Sequence, residues 1–159
     1  MEYIEAPNIY EGNGPALFLA GGISDAENWQ LKFIELIPYA EFAILNPRRA
    51  SFPVGDPDAK VQQIEWEHRH MQRADLVAFW FPPQTLCPIA LFELGACCAA
   101  RKAMVVGTDP GYARRSDLET HLRLRRPDVR IVNSLEALAG QAVEHFQMER
   151  TTHECPVAD

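Results

Sequence analysis

Six apolar residues closed by two prolines set the tightest limit on what this chain can fold into. Leu76-Val77-Ala78-Phe79-Trp80-Phe81 leaves no polar position for a solvent-facing side. A strand of that kind is buried on both faces, as in a sheet covered by helices on each side. Pro82 and Pro83 have no amide hydrogens to donate and stop it. Shorter runs of the same character are Ala16–Ala20, Phe42–Leu45 and Ala103–Gly107, with a weaker one at Val129–Val132.

Helical patterns fill the gaps: Asp25 to about Ile37, Lys60 to Arg73, Pro88 to Arg101, Ser116 to Leu124, and Ser134 to about Gln147. Strand alternating with helix predicts an α/β fold, a doubly wound and mainly parallel five-stranded sheet with helices on both faces. The expected organisation is an N-terminal extension over 1–15, a single domain over 16–147 and a loose tail over 148–159. In such sheets ligands bind beyond the carboxyl ends of the strands, where the strand order reverses. The loops after Ala20, Leu45, Phe81 and Gly107 are therefore the candidate site.

Composition excludes several classes. The net charge of −7 opposes an electrostatic grip on nucleic acid. The basic run Arg123 to Arg126 reads as a solvated face. No apolar run reaches the ~18 residues that suggest a membrane span. The acidic start, MEYIEAPNIYEGNG, lacks the basic and apolar regions of a signal peptide, so a cytoplasmic protein is expected. Cys87, Cys97, Cys98 and Cys155 show no CxxC spacing, and His68 and His70 diverge on a helix. Neither a metal nor another cofactor is expected, and both histidines read as structural or surface residues.

The first loop, Gly21-Gly22-Ile23-Ser24-Asp25-Ala26-Glu27, lets the backbone turn tightly and approach a ligand. Ser24 and Glu27 have capping-box spacing. The loop is either an ordinary strand-to-helix turn or a site for an anion or sugar hydroxyls. It matches neither a dinucleotide-binding nor a Walker pattern. In Asn46-Pro47-Arg48-Arg49 the paired arginines are either surface residues or a clamp for phosphate or carboxylate.

Two carboxylates stand out. Glu67 interrupts a stripe of Ile64, Met71 and Ala74, whereas Glu65 has Arg69 at i,i+4 as a partner. Glu93, in Pro-Ile-Ala-Leu-Phe-Glu-Leu-Gly-Ala-Cys-Cys, has only Ile89, Ala90, Ala96 and Cys97 as helical neighbours. An unpaired carboxylate there is costly, and its pKa should rise. It faces solvent, a partner subunit or a pocket. In the last case Glu67 and Glu93 converge, and paired carboxylates are the usual equipment for glycosidic-bond cleavage.

The ordered pieces Leu17–Ile23, Leu45–Arg49, Gln63–Glu67, Ala74–Val77 and Pro88–Gly95 resemble the nucleoside 2-deoxyribosyltransferase family. The likeness spans about residues 16 to 107, and Glu-Leu-Gly is its most diagnostic step. The resemblance implies a Rossmann- or flavodoxin-like oligomer, a homodimer or higher, with active sites near subunit interfaces. It implies a small-molecule nucleoside or nucleotide substrate. It gives Glu93 the role of nucleophile, Glu67 that of the helping acid, and Gly21, Gly22 and Ile23 contact with the sugar or its 5′ substituent. Two positions depart from the family pattern. Cys87 stands where transferases carry an Asp that contacts the base, and Phe18 stands where a Tyr is common. Together with Asn46 and Arg48, they complete the expected substrate contacts. Tyr112, Arg114 and Asp117 are further candidates.

The reading is an enzyme that cleaves or transfers at an N-glycosidic bond through a glycosyl-Glu93 intermediate. The alternatives are a nucleoside 5′-monophosphate N-glycosidase, a nucleotide-binding module without catalysis, and a structural Glu93 paired with an arginine.

Overall fold

The computed structural model describes residues 1–154, with side chains through Thr152. Six strands form one sheet: β1 (Tyr3–Glu5), β2 (Ala16–Gly21), β3 (Ala43–Asn46), β4 (Leu76–Phe81), β5 (Met104–Thr108) and β6 (Ile131–Val132). Their order is β1-β3-β2-β4-β5-β6, and every pairing is parallel. Five helices connect or follow them: α1 (Trp29–Glu35), α2 (Pro57–Arg73), α3 (Pro88–Ala99), α4 (Arg115–Arg125) and α5 (Leu135–Glu154).

The strand alternation sorts the core into two layers, because successive side chains point to opposite faces. Leu17, Leu19, Leu76, Ala78 and Trp80 join Trp29 and Phe33 of α1 and Leu138 and Phe146 of α5. Phe18, Ala20, Val77, Phe79 and Phe81 join Trp66 of α2, Leu94 of α3 and Leu122 of α4. This is the doubly wound, Rossmann-like arrangement, with six strands instead of the five expected.

The extra strand lies inside the expected N-terminal extension. β1 pairs with β3 at the sheet edge, Ile4 opposite Leu45. It is three residues long and partly exposed, so it has no apolar run to betray it. The following segment is fastened to α2. The Tyr10 amide donates to Nε2 of buried His70 (3.0 Å), whose Nδ1 bonds the Trp66 carbonyl (2.8 Å). Trp66 Nε1 donates to the Asn8 carbonyl, and Arg73 to the carbonyls of Gly12 and Gly14. Residues 1–15 thus pack into the domain. At the other end α5 continues to Glu154, so the expected loose tail is helical from Met148 to Glu154. The rest of that tail, 155–159, including Cys155, lies outside the described residues.

Two smaller expectations also change. Arg126, read as part of a solvated basic face, is buried and grips Asp128 with two nitrogens. Glu65 and Arg69 form no ion pair.

After β2 the chain moves outward to β3, then passes back across β2 to lay down β4. The order reverses between β2 and β4, which places the crevice at their carboxyl ends.

Candidate active site

A cavity of about 750 Å³ opens there, bounded by the β2 loop, α2 and the start of α3. It is larger than the clefts of about 640 and 630 Å³ elsewhere. Phe18, Gly21, Gly22, Ile23, Glu67, Cys87 and Glu93 all line it.

Helix α3 positions Glu93. Ala90, Leu94 and Cys97 bury one side of the helix, while Ile89 and Phe92 are 64% and 78% exposed. The helix is covered on one side only, and Glu93 sits at the border. Among the described residues it has no hydrogen-bond or ion-pair partner. Burial pushes its carboxyl up to about 8, and the Glu67 charge adds to the rise.

Glu67 is better held. Gln63 Nε2 donates to Glu67 Oε1 (2.9 Å) and to the Pro47 carbonyl (2.7 Å), which ties α2 to the β3 loop. Burial raises the Glu67 pKa, while the Gln63 bond and the charge of Arg49 draw it down. Gln63 Oε1 is buried and has no donor among the described residues. Gln63 lines the cavity and was not picked out from the sequence. Its sequence signals are its place four residues before Glu67 and at the head of the family-like piece Gln63–Glu67.

The glycine loop lies flat against its neighbours. Gly21 has φ +154°, and a Cβ there would stand 2.2 Å from the Trp80 carbonyl oxygen. A Cβ at Gly22 would meet Thr85 Cγ2 at 2.7 Å and Cys87 Sγ at 2.9 Å. Trp29 Nε1 donates to the Gly22 carbonyl (2.9 Å) and fixes the turn. The expected Ser24–Glu27 cap does not form. Helix α1 starts at Trp29, with Asn28 Oδ1 accepting from the Leu31 amide, and Glu27 pairs with Lys32. Asp25, at φ +58°, delays the helix by turning the chain through the left-handed region.

Asn46 and Arg48 are not brought to the cavity. Asn46 bonds the Tyr3 hydroxyl and the Arg48 amide. The Arg48 guanidinium donates to the carbonyls of Ala26 and Glu27 and to Gln30 Oε1. Both brace the two loops from behind. Arg49, the neighbouring arginine, lines the cavity instead.

Cys87 precedes α3 in a left-handed conformation (φ +50°), and Pro88 then opens the helix. Burial pushes its thiol up to about 11, so it is a neutral group at pH 7, donating to the Thr85 carbonyl (3.4 Å). Tyr112 braces the segment before it, giving its hydroxyl to the Leu86 carbonyl (2.9 Å) while its ring packs on Phe81. Arg114 and Asp117 pair with each other in a separate groove between α3 and α4.

A family model described as nucleoside 2-deoxyribosyltransferase like matches residues 14–112. The chain belongs to this family. The match begins just before β2 and ends at Tyr112, so it contains every residue lining the cavity. No curated relative matches the chain. Among the described residues of this nucleoside 2-deoxyribosyltransferase-like chain, no helix is long and apolar enough to cross a membrane.

Proposed function

We propose that the cavity breaks the N-glycosidic bond of a nucleoside, with Glu93 as nucleophile. The observation that carries this reading is Glu93 itself: a partly buried carboxylate, unpartnered among the described residues, that shares a glycine-lined crevice with a second carboxylate. A group held in so unfavourable a state costs stability, and such groups cluster where chemistry is done.

The reaction runs in two displacements. A Glu93 oxygen attacks C1′, the C1′–N bond breaks, and its electron pair leaves with the base, which takes up a proton. An acceptor then attacks C1′, the glycosyl–Glu93 ester breaks, and the carboxylate returns as the acceptor loses its proton. The acceptor is a second base in transfer, or water in hydrolysis. Glu67 orients sugar hydroxyls and assists the proton movements, with Gln63 holding it in place. Gly21 and Gly22 bring the backbone against the sugar. Cys87 is a poor acid at neutral pH, so protonation of the leaving base falls to Glu67 or solvent.

Incubation with nucleosides, with and without a second free base, tests this. Base exchange or base release is expected from the wild type, and neither from Glu93→Gln. If the wild type does neither with nucleosides or their 5′-monophosphates, the catalytic reading fails. The second copy expected from the family resemblance would cover Ile89 and Phe92, which stand exposed beside the cavity. Sedimentation of the purified chain tests that oligomer.

A further inference from the structure

The geometry points to an anion subsite made by Arg49 and Lys60, which makes nucleosides carrying a phosphate ester the preferred ligands of the cavity. The inference rests on reading that cavity as a nucleoside site.

Arg49 and Lys60 are its two cationic lining residues. Neither forms an ion pair among the described residues, although the chain carries seven more negative than positive charges. What sets them apart from the other cations without a carboxylate partner is their place in the wall of this cavity.

Arg49 is also held in position. Its Nη2 donates to Gln62 Oε1 (3.0 Å), and its guanidinium lies 5.4 Å from the Phe52 ring centroid. A guanidinium fixed in this way still presents its remaining donors. Of these, Nε is buried and has no acceptor among the described residues. An unsatisfied buried donor is costly, and a phosphate oxygen satisfies it with a charge-assisted bond. The charge of Arg49 reaches the cavity, since it draws down the pKa of Glu67. Lys60 is exposed at the first turns of α2, where a flexible ammonium can close on the same anion.

The arrangement answers an electrostatic problem. Glu67, and Glu93 once it ionises to attack, repel a phosphorylated substrate, and a pair of cations beside them offsets that. The neighbouring Arg48 does not line the cavity and donates to loop carbonyls instead.

The test is a binding titration on Glu93→Gln, which keeps ligands intact. The common ribo- and deoxyribonucleosides are compared with their 5′-monophosphates and with inorganic phosphate. At least one monophosphate should bind tenfold or more tightly than its parent nucleoside, and the advantage should shrink as salt rises. Adding Arg49→Gln and Lys60→Gln together should erase the advantage, with the melting temperature checking that the variant is folded. Equal binding of all nucleosides and monophosphates overturns the proposal. So does an advantage that survives the double substitution, no binding of either ligand, or a response to inorganic phosphate alone. If the phosphate advantage appears while the wild type neither exchanges nor releases base, the subsite stands and the catalytic reading falls.

Discussion

His70 and Glu93 are both titratable groups packed among apolar residues, on adjacent helices of the same sheet face, yet their surroundings differ in kind. His70 has each ring nitrogen matched, one by the Tyr10 amide and one by the Trp66 carbonyl, and its ring stacks on Trp66 at 4.0 Å. Burial lowers its pKa and keeps it neutral. Glu93 has no match, and burial drives its pKa upward. A buried polar group whose bonds are all made holds the fold together. One left without partners weakens the fold and is available to a ligand.

The largest effect expected from breaking this contrast is on turnover. Glu93→Gln should lower the rate of base exchange or release by about 10³-fold or more, as loss of a nucleophile does. The same substitution should stabilise the fold, in a pH-dependent way. Glu93 ionises near 4.5 when unfolded and near 8 when folded. The folded state binds more protons in that window, so the benefit of the neutral carboxyl is fully present below pH 4.5 and lost as pH rises through 8. The variant should therefore melt a few degrees above the wild type at pH 9, with little difference at pH 4, by calorimetry.

His70→Ala should do the reverse. It leaves a void beside Trp66 and an unpaired Tyr10 amide, and should cost about 2–4 kcal/mol by urea unfolding. Activity per folded molecule should stay close to wild type. A large loss of activity in the folded fraction would blur the distinction between the two groups.

Glu67→Gln should lower turnover by about 10–100-fold. It also removes the second cause of the raised Glu93 pKa, so the pH–rate curve, which climbs towards pH 8 in the wild type, should begin its climb at lower pH. Gly22→Ala is the mildest change. Its Cβ must displace Thr85, Cys87 and Pro82, and a several-fold rise in KM with a stability loss of about 1–3 kcal/mol is expected.

Much of this architecture was legible in the sequence, for a physical reason. Strands buried on both faces, such as β4, must be apolar throughout, and that pattern survives any surroundings. β1 was not legible, because an exposed edge strand of three residues obeys no such demand. The start of α1 was misplaced because Ser24 and Glu27 have the right spacing but Asp25 turns the chain the other way. In the site, Glu93 announced itself through its apolar neighbours. The adjacent arginines did not sort themselves, since only tertiary packing commits Arg48 to loop carbonyls and leaves Arg49 facing the cavity. Gln63 opened one of the family-like pieces but drew no role, because an amide in a polar helix is unremarkable until its partners are seen.

The border position of Glu93 has a consequence for how sequence length is policed at the mouth of α3. Each helical residue advances the side-chain direction by about 100°. Phe92 on one side of Glu93 points to solvent, and Leu94 on the other points to the core. Adding or removing a single residue between Pro88 and Glu93 would therefore swing the carboxylate out of the crevice, whatever the composition of the segment. The count of residues from that proline is under as strict a constraint as the identity of the acid it delivers.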